Sequence, residues 1–106
     1  MELTCGPLAL TLRDDPTYTA GSTDNVQQYG REYCFVKEYQ PISKYGLVCR
    51  DLEGATHSCI LLAGGGASRV NEHSAVVLNR SCFVGVGDTL CSLSLPSLDL
   101  SWRTQF

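Results

Sequence analysis

The sequence predicts a mainly-β chain: a single antiparallel meander forming a small sandwich or partly open barrel, with at most one short helix. Three observations carry this reading. Runs of apolar, aromatic and β-branched residues of strand length recur along the chain. The breaks between the later runs are two or three residues, the length that joins antiparallel neighbours. No convincing apolar period of 3.6 residues occurs anywhere. At 106 residues, positions 1–106 fit one β-rich domain.

The elements follow in order. Residues 6–12 alternate loosely and predict a first strand. Residues 13–30 carry Asp14-Asp15-Pro16 and Gly21-Ser22-Thr23-Asp24-Asn25, which is loop composition. A single helical turn fits Thr23 to Gln28, where Ser22, Thr23 and Asp24 are all able to cap. Glu32 to Tyr39 is aromatic and β-branched and stops at Pro41. Gly46–Leu52 and Thr56–Leu62 flank the turn Glu53-Gly54-Ala55. Gly64-Gly65-Gly66-Ala67-Ser68 makes a flexible connection. Four runs then crowd together: His73–Asn79, Cys82–Val86, Thr89–Leu95 and Leu98–Thr104. Residues 74–86 are apolar on both faces, as central strands are. In the last run Leu98, Leu100 and Trp102 alternate with Asp99, Ser101 and Arg103, which predicts one dry and one wet face. The expected core comprises Leu10, Phe35, Val48, Ile60, Val76, Val84, Leu93, Leu100 and Trp102.

Composition excludes several function classes. Net charge is -3, and the eight Lys and Arg are scattered, so no basic stripe offers itself to phosphates or to an anionic membrane. The N-terminus has neither a basic segment nor an apolar one. The longest apolar stretch, Cys59 to Ala63, is far too short to cross a bilayer as a helix. A cytoplasmic protein is the expectation. Six cysteines are many for this length. In a reducing compartment they stay as thiols, and apolar neighbours such as Ile60-Leu61-Leu62 beside Cys59 mark them as small core residues.

Two constellations could carry chemistry. If the Glu53-Gly54-Ala55 turn is the whole loop, Leu52 pairs with Thr56, Cys49 with Cys59 and Asp51 with His57. Cys49, Asp51, His57 and Cys59 then share one strand face. That cluster reads as packed thiols with a polar rim, as a zinc-type metal site, as a cysteine nucleophile with His57 as base and Asp51 as orienter, or as a cross-strand disulfide. No Cys-x2-Cys spacing accompanies it. The second is the loop Gly64, Gly65, Gly66, Arg69, Glu72 and His73. Glycines admit close backbone approach, Arg69 suits a carboxylate or phosphate, and Glu72 with His73 suits proton transfer. It matches neither phosphate-binding fingerprint and equally reads as a plain connection. Tyr29, Tyr33, Tyr39, Tyr45 and Phe35 lie close in sequence and could face a partner.

The stretch Phe83-Val84-Gly85-Val86-Gly87-Asp88-Thr89-Leu90, continuing through Leu95-Pro96-Ser97-Leu98 to Trp102-Arg103-Thr104, resembles a blade hairpin of quinoprotein-type β-propellers. It departs from them at Pro96-Ser97, where the blades carry a turn glycine. One unit without an internal repeat cannot close a propeller, which needs at least about four blades, so the resemblance implies a β-meander and no quinone. The sequence calls for no cofactor.

The function favoured at this level is a small binding or interaction protein that self-assembles, a homodimer first, because a short β-rich chain has open strand edges. A small-molecule-binding domain using the Gly64–His73 loop and a small enzyme with a Cys/His site are the other classes. The last matches no catalytic motif.

Overall fold

Short β-branched runs, each stopped by a turn former, become strands. A computed structural model describes residues 1–36, 43–65 and 68–105, and these form an all-β domain. β1 (Glu2–Cys5), β2 (Leu8–Asp14), β3 (Arg31–Cys34), β4 (Ser43–Arg50) and β5 (Thr56–Ala63) build a five-stranded sheet in the order β1-β2-β4-β5-β3. β6 (Ala75–Leu78), β7 (Ser81–Val86), β8 (Thr89–Ser94) and β9 (Asp99–Gln105) follow one another across a four-stranded meander. The sheets face each other as a sandwich and do not close into a barrel.

The turns obey local chemistry. Asn79 and Arg80 both take left-handed φ, 51° and 63°, as a two-residue type I′ turn between β6 and β7 requires. The expected first strand, 6–12, forms as β2, and an unexpected strand, β1, precedes it across a turn at Gly6 (φ 57°) to make a hairpin. No helix forms at 23–28. There the Asn25 amide donates to the Thr19 and Ser22 carbonyls, and the Gln28 amide to those of Thr23 and Asn25. Side chains close this loop where a helix would have used backbone.

One pairing departs from the antiparallel expectation: β3 runs parallel to β5. Residues 15–30 carry the chain from β2 to β3 over the outer face of the five-stranded sheet, so that β3 arrives on the far side of β5 and parallel to it. Tyr18 and Tyr29 pack there on Ile60 and Leu62. The Tyr18 hydroxyl donates to Glu32 (2.7 Å), Lys44 Nζ to the Tyr18 carbonyl (2.6 Å), and the Gly30 amide to Ser58 Oγ (2.8 Å). β3 ends at Cys34, and the rest of the expected 32–39 strand from Lys37 on, with Tyr39 and Pro41, lies outside the described residues.

The core fills the space between sheets. Leu10, Leu12, Tyr45, Leu47, Cys49, Cys59 and Leu61 meet Cys82, Val84, Val86, Cys91, Leu93 and Leu98. Leu10, Ile60, Val84 and Leu93 are buried as expected, and Phe35, Val48 and Leu100 are half-buried. Two expected core residues are exposed: Val76 at 58% and Trp102 at 45%. Val76 lies on β6, an edge strand and not a central one. Trp102 is turned out by a bulge. Leu93 pairs with Leu100 but Ser92 with Trp102, so Ser101 is an extra residue and the faces swap. Among the described residues no helix is long and apolar enough to cross a membrane.

Candidate functional site

The turn after β4 begins earlier than a minimal loop would. Arg50 pairs with Thr56, so Cys49 faces His57 and Leu47 faces Cys59. The cause is Asp51. Its Oδ1 accepts the amides of Glu53 (3.0 Å) and Ala55 (2.9 Å), and its own amide donates to the Ala55 carbonyl. This Asx geometry draws Asp51 out of the strand. A slip of two residues keeps every side chain on its face. Asp51 Oδ2 still reaches His57 Nε2 at 3.2 Å. That bond, with the two amides, holds the Asp51 carboxyl below the usual range.

The four residues nevertheless do not surround one point. Among the described residues no group of three or more His, Cys, Asp or Glu could hold a metal ion. The expected opposition of Cys49 to Cys59 is replaced, and all six cysteines are free thiols. Cys49 and Cys59 are fully buried between the sheets, and burial pushes both thiols up. A nucleophile needs the opposite shift. Cys82 and Cys91 of the facing sheet are pushed up to about 12 by the same cause. Together these thiols fill apolar volume.

The 64–73 segment is tied down. A Cβ on Gly65 (φ 81°) would stand 2.3 Å from Asp88 Cβ, and one on Gly87 would stand 2.3 Å from the Gly64 carbonyl oxygen. The Asp88 amide donates to that oxygen at 2.9 Å. The missing side chains of Gly65 and Gly87 thus let this segment and the β7–β8 turn meet, with the Gly64 carbonyl between them. Gly66 lies outside the described residues. Ser68 accepts from the Tyr45 hydroxyl (2.8 Å) and donates to Ser43 (2.9 Å), which clamps the crossover between sheets. Arg69 is exposed, and no ion pair engages it among the described residues. Glu72 and His73 lie 3.4 Å apart, both highly exposed. Among the described positions of this loop, Gly64 and Gly65 sit against the β7–β8 turn while Arg69, Glu72 and His73 are exposed.

Of the tyrosines that could face a partner, Tyr29, Tyr33 and Tyr45 make contacts within their own chain, and Tyr39 lies outside the described residues. Tyr45 is buried, and the Tyr33 hydroxyl donates to the Leu98 carbonyl at 2.8 Å, across the sandwich. Beside it Arg31 pairs with Asp99, and the Arg103 guanidinium sits over the Phe35 ring at 5.1 Å.

What the sequence did not single out is the outer face of the four-stranded sheet. Strand register puts Val76, Phe83, Ser92 and Trp102 in one row across it, flanked by Leu78–Ser81–Ser94–Asp99 and by Gly85–Leu90–Thr104. Phe83 and Trp102 meet with centroids 6.1 Å apart, tilted at 47°, over the buried Ser92 between them. Leu78 is 60% exposed. Gly85 leaves open space above its backbone, and around it opens a depression of about 510 Å³ lined by Val76, Phe83 and Leu90 and rimmed by Glu72 and His73. The signal was present in the two-sided apolar run 74–86, read there as central strands.

Comparison with protein-family models, curated proteins and solved structures finds no match to this chain.

Proposed function

We propose that this chain is a small interaction protein that self-assembles, two copies meeting through the outer faces of their four-stranded sheets. The observation that carries the reading is an asymmetry between the two outer faces. That of the five-stranded sheet is covered by the chain's own Tyr18 and Tyr29. That of the four-stranded sheet keeps Val76, Leu78 and Trp102 in solvent, and nothing among the described residues covers them.

The chemistry of the face favours a second copy as its occupant. Of the residues in the three rows only Asp99, opposite Ser94, is charged, and it is paired with Arg31 of its own chain; Glu72 and His73 lie at the rim, so the middle of the face selects little by charge. A two-fold pair sets the same patch against itself, which suits a face with both projections and a hollow. Trp102 and Leu78 project; Gly85 leaves the hollow. Size fits as well. Strands about 4.8 Å apart with residues about 3.4 Å along them give four strands of six residues roughly 400 Å² in flat projection. Standing side chains raise the accessible area above that. Weak pairs bury under about 600 Å² a side and standard ones about 800 Å², so a reversible dimer is the expected strength. The cytoplasm is the proposed compartment, since six unpaired thiols suit a reducing medium.

Sedimentation equilibrium across a concentration series tests this. The expected result is a monomer–dimer equilibrium for the natural chain and a monomer for Val76→Lys, whose substitution is at an exposed site and spares the fold. A natural chain that stays monomeric at the highest concentration, or a Val76→Lys variant that associates as well, refutes the proposal.

A further inference from the structure

We propose that the cleft among the β1–β2, β4–β5 and β6–β7 turns binds a short aliphatic carboxylate, its chain against Pro7, Leu8 and Leu52 and its head on Arg80. This site lies at one end of the sandwich, is carried by different residues from the dimer face, and does not depend on it.

The cleft holds about 240 Å³ and is lined by Cys5, Gly6, Pro7, Leu8, Leu52 and Arg80. Its walls are apolar except for one cation. Leu52 is 73% exposed, held out on the β4–β5 turn away from the core. An apolar side chain beside a pocket gains burial when a hydrocarbon enters. Arg80 has no ion pair among the described residues. Its backbone is fixed in the left-handed region at φ 63°, next to Asn79 at 51°. Non-glycine residues adopt this region rarely, and the type I′ turn that imposes it fixes where Arg80 leaves the hairpin.

Apolar walls with a single guanidinium select for an amphipathic anion. A carboxylate matches the planar fork of arginine with two parallel hydrogen bonds. A cation is repelled, and a neutral alcohol forfeits the charged pair. At about 240 Å³ the cleft is the size for a short acid rather than a long-chain one, and hexanoate spans from Leu52 to Arg80 as a convenient probe length.

Hexanoate is the probe, followed by amide shifts in two-dimensional NMR of the whole chain. The expected result is saturable shifts at Cys5, Gly6, Leu8, Leu52 and Arg80, with butyrate weaker and hexylammonium inactive. Cys5 lines the cleft, so saturating hexanoate should also slow its alkylation by N-ethylmaleimide while leaving the exposed Cys34 unaffected. Arg80→Asn removes the charge with a residue that tolerates left-handed backbone. It should weaken binding on the order of tenfold, the usual loss for a charged hydrogen-bonded pair. Leu52→Asp, at an exposed turn position, should abolish it. Unchanged spectra elsewhere verify both folds. Shifts that never saturate, that fall outside the cleft, that hexanol reproduces equally, or that survive Arg80→Asn undiminished overturn the proposal.

Discussion

Replacing Gly46 by alanine tests whether the 15–30 crossover is held by one close contact. A Cβ at Gly46 would lie 2.2 Å from Tyr29 Oη, 2.6 Å from Cζ and 2.7 Å from Cε1. The ring must leave. It would lose the hydrogen bond from its hydroxyl to Asp15 Oδ2 (2.8 Å) and its edge contact with Tyr18, 5.7 Å between centroids at 66°. A hydrogen bond to a charged acceptor contributes about 1.5–3 kcal/mol, and an aromatic pair about 0.5–1.5 kcal/mol. Alanine recovers about 0.5–1 kcal/mol over glycine in a strand. The net loss is about 1–4 kcal/mol, and near 2 is expected because Tyr29 is only half-buried.

The assay is a double-mutant cycle by urea unfolding. In a Tyr29→Ala background the obstructing ring is gone, so Gly46→Ala should be neutral or stabilising by about 0.5–1 kcal/mol. The coupling between the two changes is then most of the single-mutant loss. If Gly46→Ala costs the same in both backgrounds, the close approach of Tyr29 is not what Gly46 serves, and the reasoning fails.

Three other outcomes follow from the same physics. Burial and the Glu32 and Asp15 carboxylates raise Tyr18 and Tyr29 to about 12, while tyrosine in an unfolded chain ionises near 10. Their contribution to stability is therefore intact below pH 10 and lost as pH rises through 12, and a Tyr18→Phe/Tyr29→Phe variant should show less alkaline loss in urea melts. Thiol titration of the native chain should detect Cys34 and Cys5 readily and Cys49, Cys59, Cys82 and Cys91 only in denaturant; a rapid buried thiol would contradict the core assignment. Gly6→Ala and Gly87→Ala both pay about 1–2 kcal/mol for left-handed φ, but only Gly87 also meets backbone, at Gly64, so its variant should melt markedly lower. Equal melting would show that the two turns are not packed as described.

The strands were legible because period-two patterning and turn chemistry are local. What failed was fixed by tertiary structure or by one side chain. Leu98, Leu100 and Trp102 alternate without a flaw in sequence, yet Ser101 is bulged and Trp102 faces outward. Alternation carries no mark of an extra residue in the partner register. The β4–β5 register moved because Asp51 satisfies turn amides that an idealised short loop would have left to water. The Asp51–His57 contact survived only because the shift was even. At Gly64 and Gly65 the structure brings in the Gly87–Asp88 turn, a contact so distant in sequence that no local pattern marks it.

Strands that are apolar on both sides need cover on both sides. β5 places Cys59 and Leu61 on the inner face and Ile60 and Leu62 on the outer, and all four are fully buried. The chain achieves this by sending its most polar segment across the sheet to make β3, at the cost of a long ordered crossover and an otherwise uncommon parallel pair. β6 and β7 show the same two-sided pattern, with Ala75, Val77, Cys82 and Val84 inward and Val76, Leu78 and Phe83 outward. No crossover follows them: the meander runs on through two-residue turns and a short loop to β9. Burial of such a strand has two solutions, a segment of the same chain or a surface from outside it. The five-stranded sheet uses the first. The proposed dimer is the second for the four-stranded sheet: a copy of the same face would cover the Val76, Leu78 and Trp102 that this chain leaves in solvent.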